Sequence, residues 1–267
     1  MNIQAIFFDI DGTLVSFDTH QVPESTIQTL NELRQRGVKI FVATGRAFAS
    51  INNLGDLQFD GYITMNGSCC LVGDEVVYKK PLPKNDIKAL INYVENVRSF
   101  PCFFTDGSEP FCNYSNDVSD KIFESLNFPP PKPAPISQAL EKEICQMSIF
   151  YNKENEAEIL ALLPDCKTAS WSPHFTDVIH VEAGKDAGID KILAHFNIPL
   201  EATMAFGDGG NDISMLRHVK IGIAMGNAGD EVKASADYVT ASIDDDGVKK
   251  ALEYFLPKFA KTKSCIQ

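Results

Sequence analysis

The chain has 267 residues, 44% of them apolar and 22% charged, and its formal net charge is −12. This composition is that of a globular protein with one large or two modest domains, and it excludes a disordered or fibrous chain. The acidic balance argues against nucleic acid and anionic membrane surfaces as partners, because their phosphates are bound by clustered Lys and Arg. A small phosphate ester stays possible, since a bound divalent cation can supply local positive charge.

The cysteines and the apolar runs indicate in which cellular compartment the protein is expected. The seven cysteines are scattered, and the adjacent pair Cys69-Cys70 has poor geometry for a mutual disulfide. A zinc site is not favoured, because no Cys-x-x-Cys spacing occurs. No apolar run reaches the ~18–20 residues that span a bilayer, and no basic segment precedes apolar residues 5–10 as in a secretory signal. We therefore expect a cytoplasmic protein with free thiols, either a monomer or a weak homo-oligomer.

The predicted elements begin with a strand–helix–strand unit. Residues 5–10 are almost all apolar, as in a strand that is covered on both faces. A helix follows, with Pro23 near its start and Gly37 at its end. Strands are expected at 38–43 and 62–65, with a short helix between them. This order is typical of a right-handed parallel unit.

The middle of the chain has a less regular order of elements. Residues 129–135 hold five prolines in seven positions and are expected to lack regular structure. We interpret the stretch as an α+β module inserted into the parallel-sheet domain. Its predicted helices are 84–97, 117–126 and 154–163, and its predicted strands are 102–105, 111–114, 145–151, 166–171 and 176–181.

The last quarter returns to alternating strands and helices. The predicted fold class is therefore α/β, with a Rossmann-like parallel sheet core and an inserted α+β domain. We place the boundaries near residues 81 and 184, which gives a core of 1–81 and 185–267 around an inserted domain of 82–184. The predicted strands here are 203–206, 221–224 and 238–239, and the helices are 186–196, 211–217, 229–235 and a last one from Asp246.

Two carboxylates, Asp9 and Asp11, follow the first predicted strand in the segment Phe-Asp-Ile-Asp-Gly-Thr (8–13). Ligands of an open parallel sheet bind outside the carboxyl ends of its strands. Strand alternation would put both side chains on one side, and two close carboxylates raise the pKa of one of them. One can then stay ionised while the other carries a proton, which suits a nucleophile and a general acid.

Alone, an Asp-x-Asp segment is more typical of a turn at a strand end. An EF-hand calcium loop is excluded, because Gly12 comes too early and the twelfth position from Asp9 is His20 rather than Glu.

A second cluster, Gly-Asp-Gly-Gly-Asn-Asp (207–212), lies between a predicted strand and a helix. Its glycines let the backbone approach a ligand, and the helix start offers N–H groups. Asp208 and Asp212 could add carboxylate oxygens for a hard cation such as Mg²⁺. Alone, the segment is equally typical of a glycine-rich turn.

Two further segments add candidates for binding phosphate. Thr44-Gly45-Arg46 ends a predicted strand, and the hydroxyl with the following N–H groups could cradle a phosphate. Lys185 lies just before the C-terminal strands resume, and a buried lysine beside carboxylates could stabilise negative charge. Considered singly, Lys185 is more typical of a solvated surface lysine.

These four segments occur in one order along the chain, and three of them end apolar strands. In this combination the sequence resembles the haloacid dehalogenase superfamily, and within it the Cof-type sugar-phosphate phosphatases. The resemblance covers essentially the whole chain. It also includes Asn66-Gly67 and the segments 224–228, 236–240 and 246–248.

The resemblance implies an Mg²⁺-dependent phosphatase that hydrolyses small phosphate monoesters, above all hexose or pentose phosphates. Asp9 would attack phosphorus and form an aspartyl-phosphate, and Asp11 would protonate the leaving alcohol and then activate water. Thr44 and Lys185 would hold the phosphoryl oxygens. The implied Mg²⁺ ligands are Asp9, the Asp11 carbonyl and Asp208 with support from Asp212, and the implied substrate contacts are Gly45, Arg46 and Asn211.

The inserted module resembles the α/β cap of this family, whose loops select the substrate and exclude water. One departure concerns the lysine motif, since the family usually has Gly where this chain has Asp186. The candidates for facing the substrate are Asp106, Ser108, Asn113, His174 and Asp177.

Two other functions share this pattern of residues. A phosphomutase would keep Asp9 and Asp11 but would shield the aspartyl-phosphate from water, so it would form an isomer without free phosphate. A non-catalytic sugar-phosphate sensor would need neither carboxylate, and their presence argues against it.

Overall fold

The computed structural model describes residues 2–126, 128–151 and 153–256. The described chain forms two compact units. The predicted insertion, 82–184, falls within the second unit, and its boundaries near 81 and 184 stay a prediction. Within the described residues, the first unit comprises 2–41, 53–59 and 198–256, and the second comprises 42–52 and 60–197.

The elements are numbered in chain order, each type separately. Within the described residues, the strands are β1 (Ala5–Phe8), β2 (Lys39–Ala43), β3 (Gly61–Thr64), β4 (Cys69–Val72), β5 (Glu75–Lys79), β6 (Cys102–Thr105), β7 (Phe111–Cys112), β8 (Lys132–Pro133), β9 (Gln146–Ile149), β10 (Cys166–Ala169), β11 (Thr176–His180), β12 (Thr203–Gly207), β13 (Ile221–Ala224) and β14 (Tyr238–Val239). The α-helices are α1 (Glu24–Gln35), α2 (Lys84–Asn96), α3 (Asp117–Ser125), α4 (Glu156–Leu160), α5 (Lys185–Phe196), α6 (Ile213–His218), α7 (Asp230–Lys233) and α8 (Gly247–Phe255).

The first unit contains a parallel ladder in the order β14-β13-β12-β1. The register of β1 against β12 ends with Phe8 opposite Phe206, and the centroids of these stacked rings are 5.0 Å apart. Every residue of β1 is buried, as the continuous apolar run predicts. The Asp9 N–H donates to the Phe206 carbonyl at 3.0 Å, so pairing extends to the first catalytic candidate.

Helix α1 confirms the prediction from the apolar spacing. It begins after Pro23 and ends near Gly37, whose φ of 79° only glycine adopts readily. Its apolar stripe buries Leu30 and Leu33 in the first unit.

The second unit contains two groups of strands. β3, β4 and β5 form an antiparallel run, and a six-stranded sheet has the order β10-β11-β9-β6-β7-β8. Side chains from α2 and the six-stranded sheet share one hydrophobic core, which includes Ile87, Leu90, Phe104, Met147 and Val178. This mixture of strands and helices confirms the predicted α+β character of the middle of the chain.

The hairpin of β4 and β5 was not predicted from the sequence. Gly73 has a φ of 58° and, with Asp74, forms the two-residue connection between the strands. A Gly-Asp pair between two short runs with apolar residues is a hairpin signal, so the sequence did carry this information.

The prediction that residues 129–135 lack regular structure was wrong at two positions. Lys132 and Pro133 form β8, which pairs in parallel with β7, and the Ala134 N–H donates to the Cys112 carbonyl at 2.8 Å. Proline is tolerated here because β8 is the last strand of its sheet, where an absent N–H breaks no interior ladder.

Two predicted helices begin with a 3₁₀ turn, which shortens their α-helical part. The predicted helix 154–163 consists of a 3₁₀ turn at Lys153–Asn155 followed by α4. The predicted helix 211–217 likewise consists of a 3₁₀ turn at Gly210–Asp212 followed by α6. Helix ends often tighten in this way.

Candidate active site

Three carboxylates meet at the ends of β1 and β12 in the first unit. Asp9 follows β1 and Asp208 follows β12, and pairing of these parallel strands brings their carboxyl ends together. One oxygen each from Asp9, Asp208 and Asp212 lies within 4.8 Å of the other two. Asp9 and Asp212 are buried, whereas Asp208 is half-buried. Such a set of oxygens is suited to a hard divalent cation, whose charge would offset the repulsion among three close carboxylates.

Asp212 shapes the loop that carries Asp208. One oxygen of the Asp212 carboxylate accepts from the Asp208 N–H at 3.0 Å and from the Gly209 N–H at 2.9 Å. A Cβ on Gly207 would lie 2.5 Å from the Asp212 Cβ, so glycine is needed for this close approach. Asp212 therefore holds the backbone on both sides of the Asp208 side chain.

Thr13 and Asn227 orient the Asp208 carboxylate. The Thr13 hydroxyl donates to Oδ1 at 2.8 Å, and the Asn227 amide donates to Oδ2 at 3.3 Å and to the Gly12 carbonyl at 2.9 Å. The sequence predicts no role for Asn227. The sequence signal for Asn227 was its place in residues 224–228, the segment after β13 that forms part of the family resemblance.

Asp11 and Asn211 lie close to these carboxylates in sequence. Asp11 is half-buried, its backbone bridges to Val15, and its side chain does not belong to the group of three carboxylates among the described residues. Asn211 is half-buried in the 3₁₀ turn at Gly210–Asp212.

In the second unit, Thr44, Gly45 and Arg46 form the loop after β2. The buried Thr44 hydroxyl accepts from the Arg46 N–H at 3.1 Å. A hydroxyl can accept and donate at once, so Thr44 can still donate to a phosphoryl oxygen. The Arg46 guanidinium lies 4.4 Å from the centroid of the Phe128 ring, a cation–π contact that holds its planar group.

Lys185 is the first residue of α5 and is only 1% exposed. The solvated-surface interpretation is therefore wrong for this lysine. Asp186 lies in the first turn of α5, where the helix dipole favours a carboxylate. Asp186, which stands where the family usually has Gly, therefore changes neither the start of α5 nor the burial of Lys185.

A tight backbone contact fixes the start of α5 in the second unit. Gly67 has a φ of 88°, and a Cβ there would lie 1.9 Å from the Gly184 carbonyl oxygen. Only glycine fits such a position, which accounts for the Asn66-Gly67 pair of the resemblance. The residue before Lys185 is thereby packed against the turn that follows β3.

Asp177 is a buried acid within reach of the Lys185 charge. Burial raises the pKa of Asp177 to about 7, against hydrogen bonds from Ser148 and Asn66 and the positive charge of Lys185, which all lower it. The Ser148 hydroxyl donates to Oδ1 at 2.5 Å and the Asn66 amide donates to Oδ2 at 3.0 Å.

The other substrate candidates of the middle segment have varied surroundings. Asp106 forms an ion pair with Lys142 at 3.3 Å and accepts from Ser108. The Asn113 amide is bound to backbone groups, accepting from Cys102 N–H at 2.8 Å and donating to the Phe100 carbonyl at 3.0 Å. His174 is exposed.

The α/β architecture and the carboxylate cluster define an α/β protein with an aspartate-rich site suited to a divalent cation. The chain matches the haloacid dehalogenase-like hydrolases over residues 6–252 and belongs to that family. It is a phosphatase of the haloacid dehalogenase (HAD) type, with the α/β core and cap of its relatives. Within the described residues, no helix combines the length and apolarity that a membrane crossing requires.

Relatives of this chain include proteins of known structure. It is 49% identical to the HAD subclass IIB sugar phosphatase BT4131, with a TM-score of 0.90 over 94% of this chain and 98% of the other. It is 33% identical to BT1666 from Bacteroides thetaiotaomicron, with a TM-score of 0.88 over 95% of each chain. It is also 33% identical to the provisionally named phosphatase YkrA of Bacillus subtilis, over 95% of this chain and 98% of YkrA.

Proposed function

We propose that this protein hydrolyses small phosphate monoesters, above all hexose or pentose phosphates, with Asp9 as nucleophile and Mg²⁺ as cofactor. The observation that carries the proposal is the approach of Asp9, Asp208 and Asp212 within 4.8 Å. A nucleophilic carboxylate beside two others needs a cation to lower the repulsion toward a phosphate dianion.

The residues present fit a bound Mg²⁺. Asp9, Asp208 and the Asp11 carbonyl would hold it, and Asp212 would support them through the loop at 207–212. Mg²⁺ keeps several waters and needs few protein oxygens, so this donor set is sufficient. When bound, the ion supplies charge neutralisation at the phosphate oxygens.

The proposed reaction has two displacements at phosphorus. In the first, an Asp9 oxygen bonds to phosphorus, the ester P–O bond breaks, and the leaving alcohol takes the Asp11 proton. In the second, ionised Asp11 takes a proton from water, the water oxygen bonds to phosphorus, and the P–O bond to Asp9 breaks. Orthophosphate leaves, and both side chains return to their starting states.

Further cationic and donor groups complete the proposal. Thr44 and Lys185 donate to the phosphoryl oxygens, and Gly45, Arg46 and Asn211 contact the phosphate or the leaving group. Lys185 is suited to this role because a buried ammonium stabilises charge more strongly than an exposed one.

The similarity to BT4131 supports sugar phosphates as the substrate class, since that relative is a sugar phosphatase and is 49% identical. Another relative, YitU of Bacillus subtilis, is a 5-amino-6-(5-phospho-D-ribitylamino)uracil phosphatase and is 26% identical. A phosphoribityl compound therefore belongs in any substrate screen.

The test is a phosphate-release screen with Mg²⁺ across sugar phosphates, nucleotides, pyridoxal phosphate and a phosphoribityl compound. We expect release from sugar phosphates, and we expect Asp9→Asn to lower kcat by about a thousandfold or more, because an amide is a poor nucleophile. The matched control is Asp18→Asn, which changes an exposed aspartate of the first unit. Full activity of Asp9→Asn would refute the nucleophile, and isomer formation without free phosphate would establish a phosphomutase instead.

A further inference from the structure

All three carbonyls of the loop at Thr44, Gly45 and Arg46 are bound within the second unit. Two accept from backbone N–H groups, Thr44 from Asn66 at 3.0 Å and Arg46 from Met65 at 2.9 Å. The middle one, on Gly45, accepts from the side-chain amide of Gln146 at 3.1 Å. The C=O and N–H of a trans peptide point in opposite directions, so the bond to the Gly45 carbonyl directs the Arg46 N–H of the same peptide to the other side of the loop, where it donates to the Thr44 hydroxyl at 3.1 Å.

This orientation matters for a phosphate. A carbonyl oxygen facing a phosphate dianion would repel it, whereas the Thr44 hydroxyl that the Arg46 N–H holds can donate its own proton to a phosphoryl oxygen. The Gly45 carbonyl is the one whose partner is a side chain, and this side chain belongs to β9, about a hundred positions further along the chain. The direction of the central peptide thus depends on Gln146.

The Gln146 amide has a defined orientation. It is 6% exposed, and its Oε1 accepts from the Asn66 Nδ2 at 3.0 Å while its Nε2 donates to Gly45. A rotation of this amide by 180° would set Oε1 against the Gly45 carbonyl and Nε2 against the Asn66 amide. Both contacts would be repulsive, so the neighbours select one orientation.

Asn66 is oriented in turn by Asp177. The same Asn66 Nδ2 donates to Asp177 Oδ2 at 3.0 Å, and the other Asp177 oxygen accepts from Ser148. An inverted Asn66 would turn its oxygen toward two acceptors. Asn66 is 1% exposed and has a φ of 51°, a conformation that asparagine tolerates better than most residues.

We propose that Gln146 and Asp177 are positioning residues that, through Asn66, hold the central peptide of the loop at 44–46 with its carbonyl away from the substrate phosphate and its N–H on the Thr44 hydroxyl. The Asn66 amide donates both to the Asp177 carboxylate and to the Gln146 Oε1, and the Gln146 amide donates to the Gly45 carbonyl. The role in catalysis rests on the proposed function, whereas the ordering of the loop does not.

Variants of Gln146 test the last link of this chain. Gln146→Met keeps the size of the side chain and removes both hydrogen bonds, and Gln146→Glu replaces the donor to Gly45 with an acceptor. We expect each to lower kcat/KM for the best sugar phosphate of the screen by about ten- to a hundredfold, since small displacements of a phosphate-binding group have effects of this size. The matched control, Gln28→Met, removes an exposed glutamine amide from α1 and should change nothing.

Variants of Asp177 separate positioning from a general loss of structure. Asp177→Asn can still accept from Asn66 through its oxygen while its NH₂ donates to Ser148, so it should retain most activity. Asp177→Leu removes the acceptor and should behave like Gln146→Met. Equal activity of the Asn and Leu variants would overturn the role of Asp177.

Hydrogen exchange of the substrate-free protein tests the ordering independently of activity. We expect amides of residues 44–47 to exchange at least several-fold faster in Gln146→Met than in Gln28→Met, with unchanged exchange in β1 and β12. If the screen finds no phosphatase activity, this local increase would still support the ordering of the loop. Unchanged exchange at 44–47 would overturn the proposal whatever the activity.

Discussion

At position 12, both the backbone conformation and the space available for a side chain require glycine. Its φ is 80°, and a Cβ there would lie 2.2 Å from the Asp208 Oδ2. Its carbonyl also accepts from the Asn227 amide. The glycine of the Asp-x-Asp-Gly-Thr segment therefore does more than let the chain turn, since it leaves space for the Asp208 carboxylate.

Replacing Gly12 with Ala should impair both stability and catalysis. The left-handed conformation alone costs an L-residue about 1–2 kcal/mol, and displacement of Asp208 adds a loss of activity. Gly37→Ala is the matched control, because Gly37 has nearly the same φ, 79°, but no atom within 4 Å of the added Cβ. We expect the left-handed backbone conformation to lower the Tm of both variants by similar amounts. A large loss of kcat is expected only in Gly12→Ala. Equal kcat in the two variants would contradict the account.

The buried acid Asp177 makes stability depend on pH. Its folded pKa of about 7 lies above the unfolded value of about 3.9. Between these values the folded state binds the extra proton, so this group's stabilising contribution is present at low pH and is lost as pH rises through about 7. The slope is at most about 1.4 kcal/mol per pH unit for one proton.

Denaturant unfolding of the wild type and Asp177→Asn between pH 4.5 and 8 measures this effect. We expect the free energy of unfolding of the wild type to fall relative to the variant as pH rises. Parallel curves across that range would show that Asp177 is ionised in both states, and that its pKa is not raised.

At the level of elements, the parts that depend on local pattern were predictable. The apolar run of β1, the Pro–Gly limits of α1 and the strands before Thr44 and Asp208 are all visible within a few residues. The hairpin of β4 and β5 was missed although its Gly73-Asp74 connection is a local signal. Boundaries were less accurate, because 3₁₀ turns replace the first turn of two predicted helices.

Long-range hydrogen bonds could not be predicted from one sequence. Asn66 meets Gln146 across 80 positions and Asp177 across 111 positions, and no spacing rule covers such distances. The family resemblance pointed to Asn66 as part of a motif but not to its partners. Asp177 was one of several candidates for facing the substrate, and its place in a buried polar chain is visible only in the structure.

For the whole molecule, the net charge of −12 opposes the binding of an anionic substrate. An acidic protein that binds an anionic ester must concentrate positive charge where the phosphate lies. In the proposed function, a divalent cation at Asp9 and Asp208 would provide it, which makes the cation a stabilising ligand as well as a cofactor.

Removal of the metal should therefore change both activity and stability. We expect EDTA to stop phosphate release and Mg²⁺ to restore it. Saturating Mg²⁺ should also raise the Tm of the chelated wild type, since a ligand at 100 times its Kd adds about 2.7 kcal/mol to the folded state. Asp208→Asn should show a smaller rise in Tm. Turnover that persists in chelator, or an equal rise in the variant, would contradict the assigned ligands.

The pairing of β1 with β12 has a consequence for biosynthesis. Ala5 lies opposite Thr203, so the first strand leaves the ribosome long before its partner has been translated. At about 5–20 residues per second the delay is on the order of ten seconds or more. During that interval the buried face of β1 lacks its neighbour, while residues 60–197 of the second unit are completed. The nascent chain thus exposes the β12 side of this apolar strand during that interval, and we expect its yield in cells to depend on chaperones that bind Ala5–Phe8.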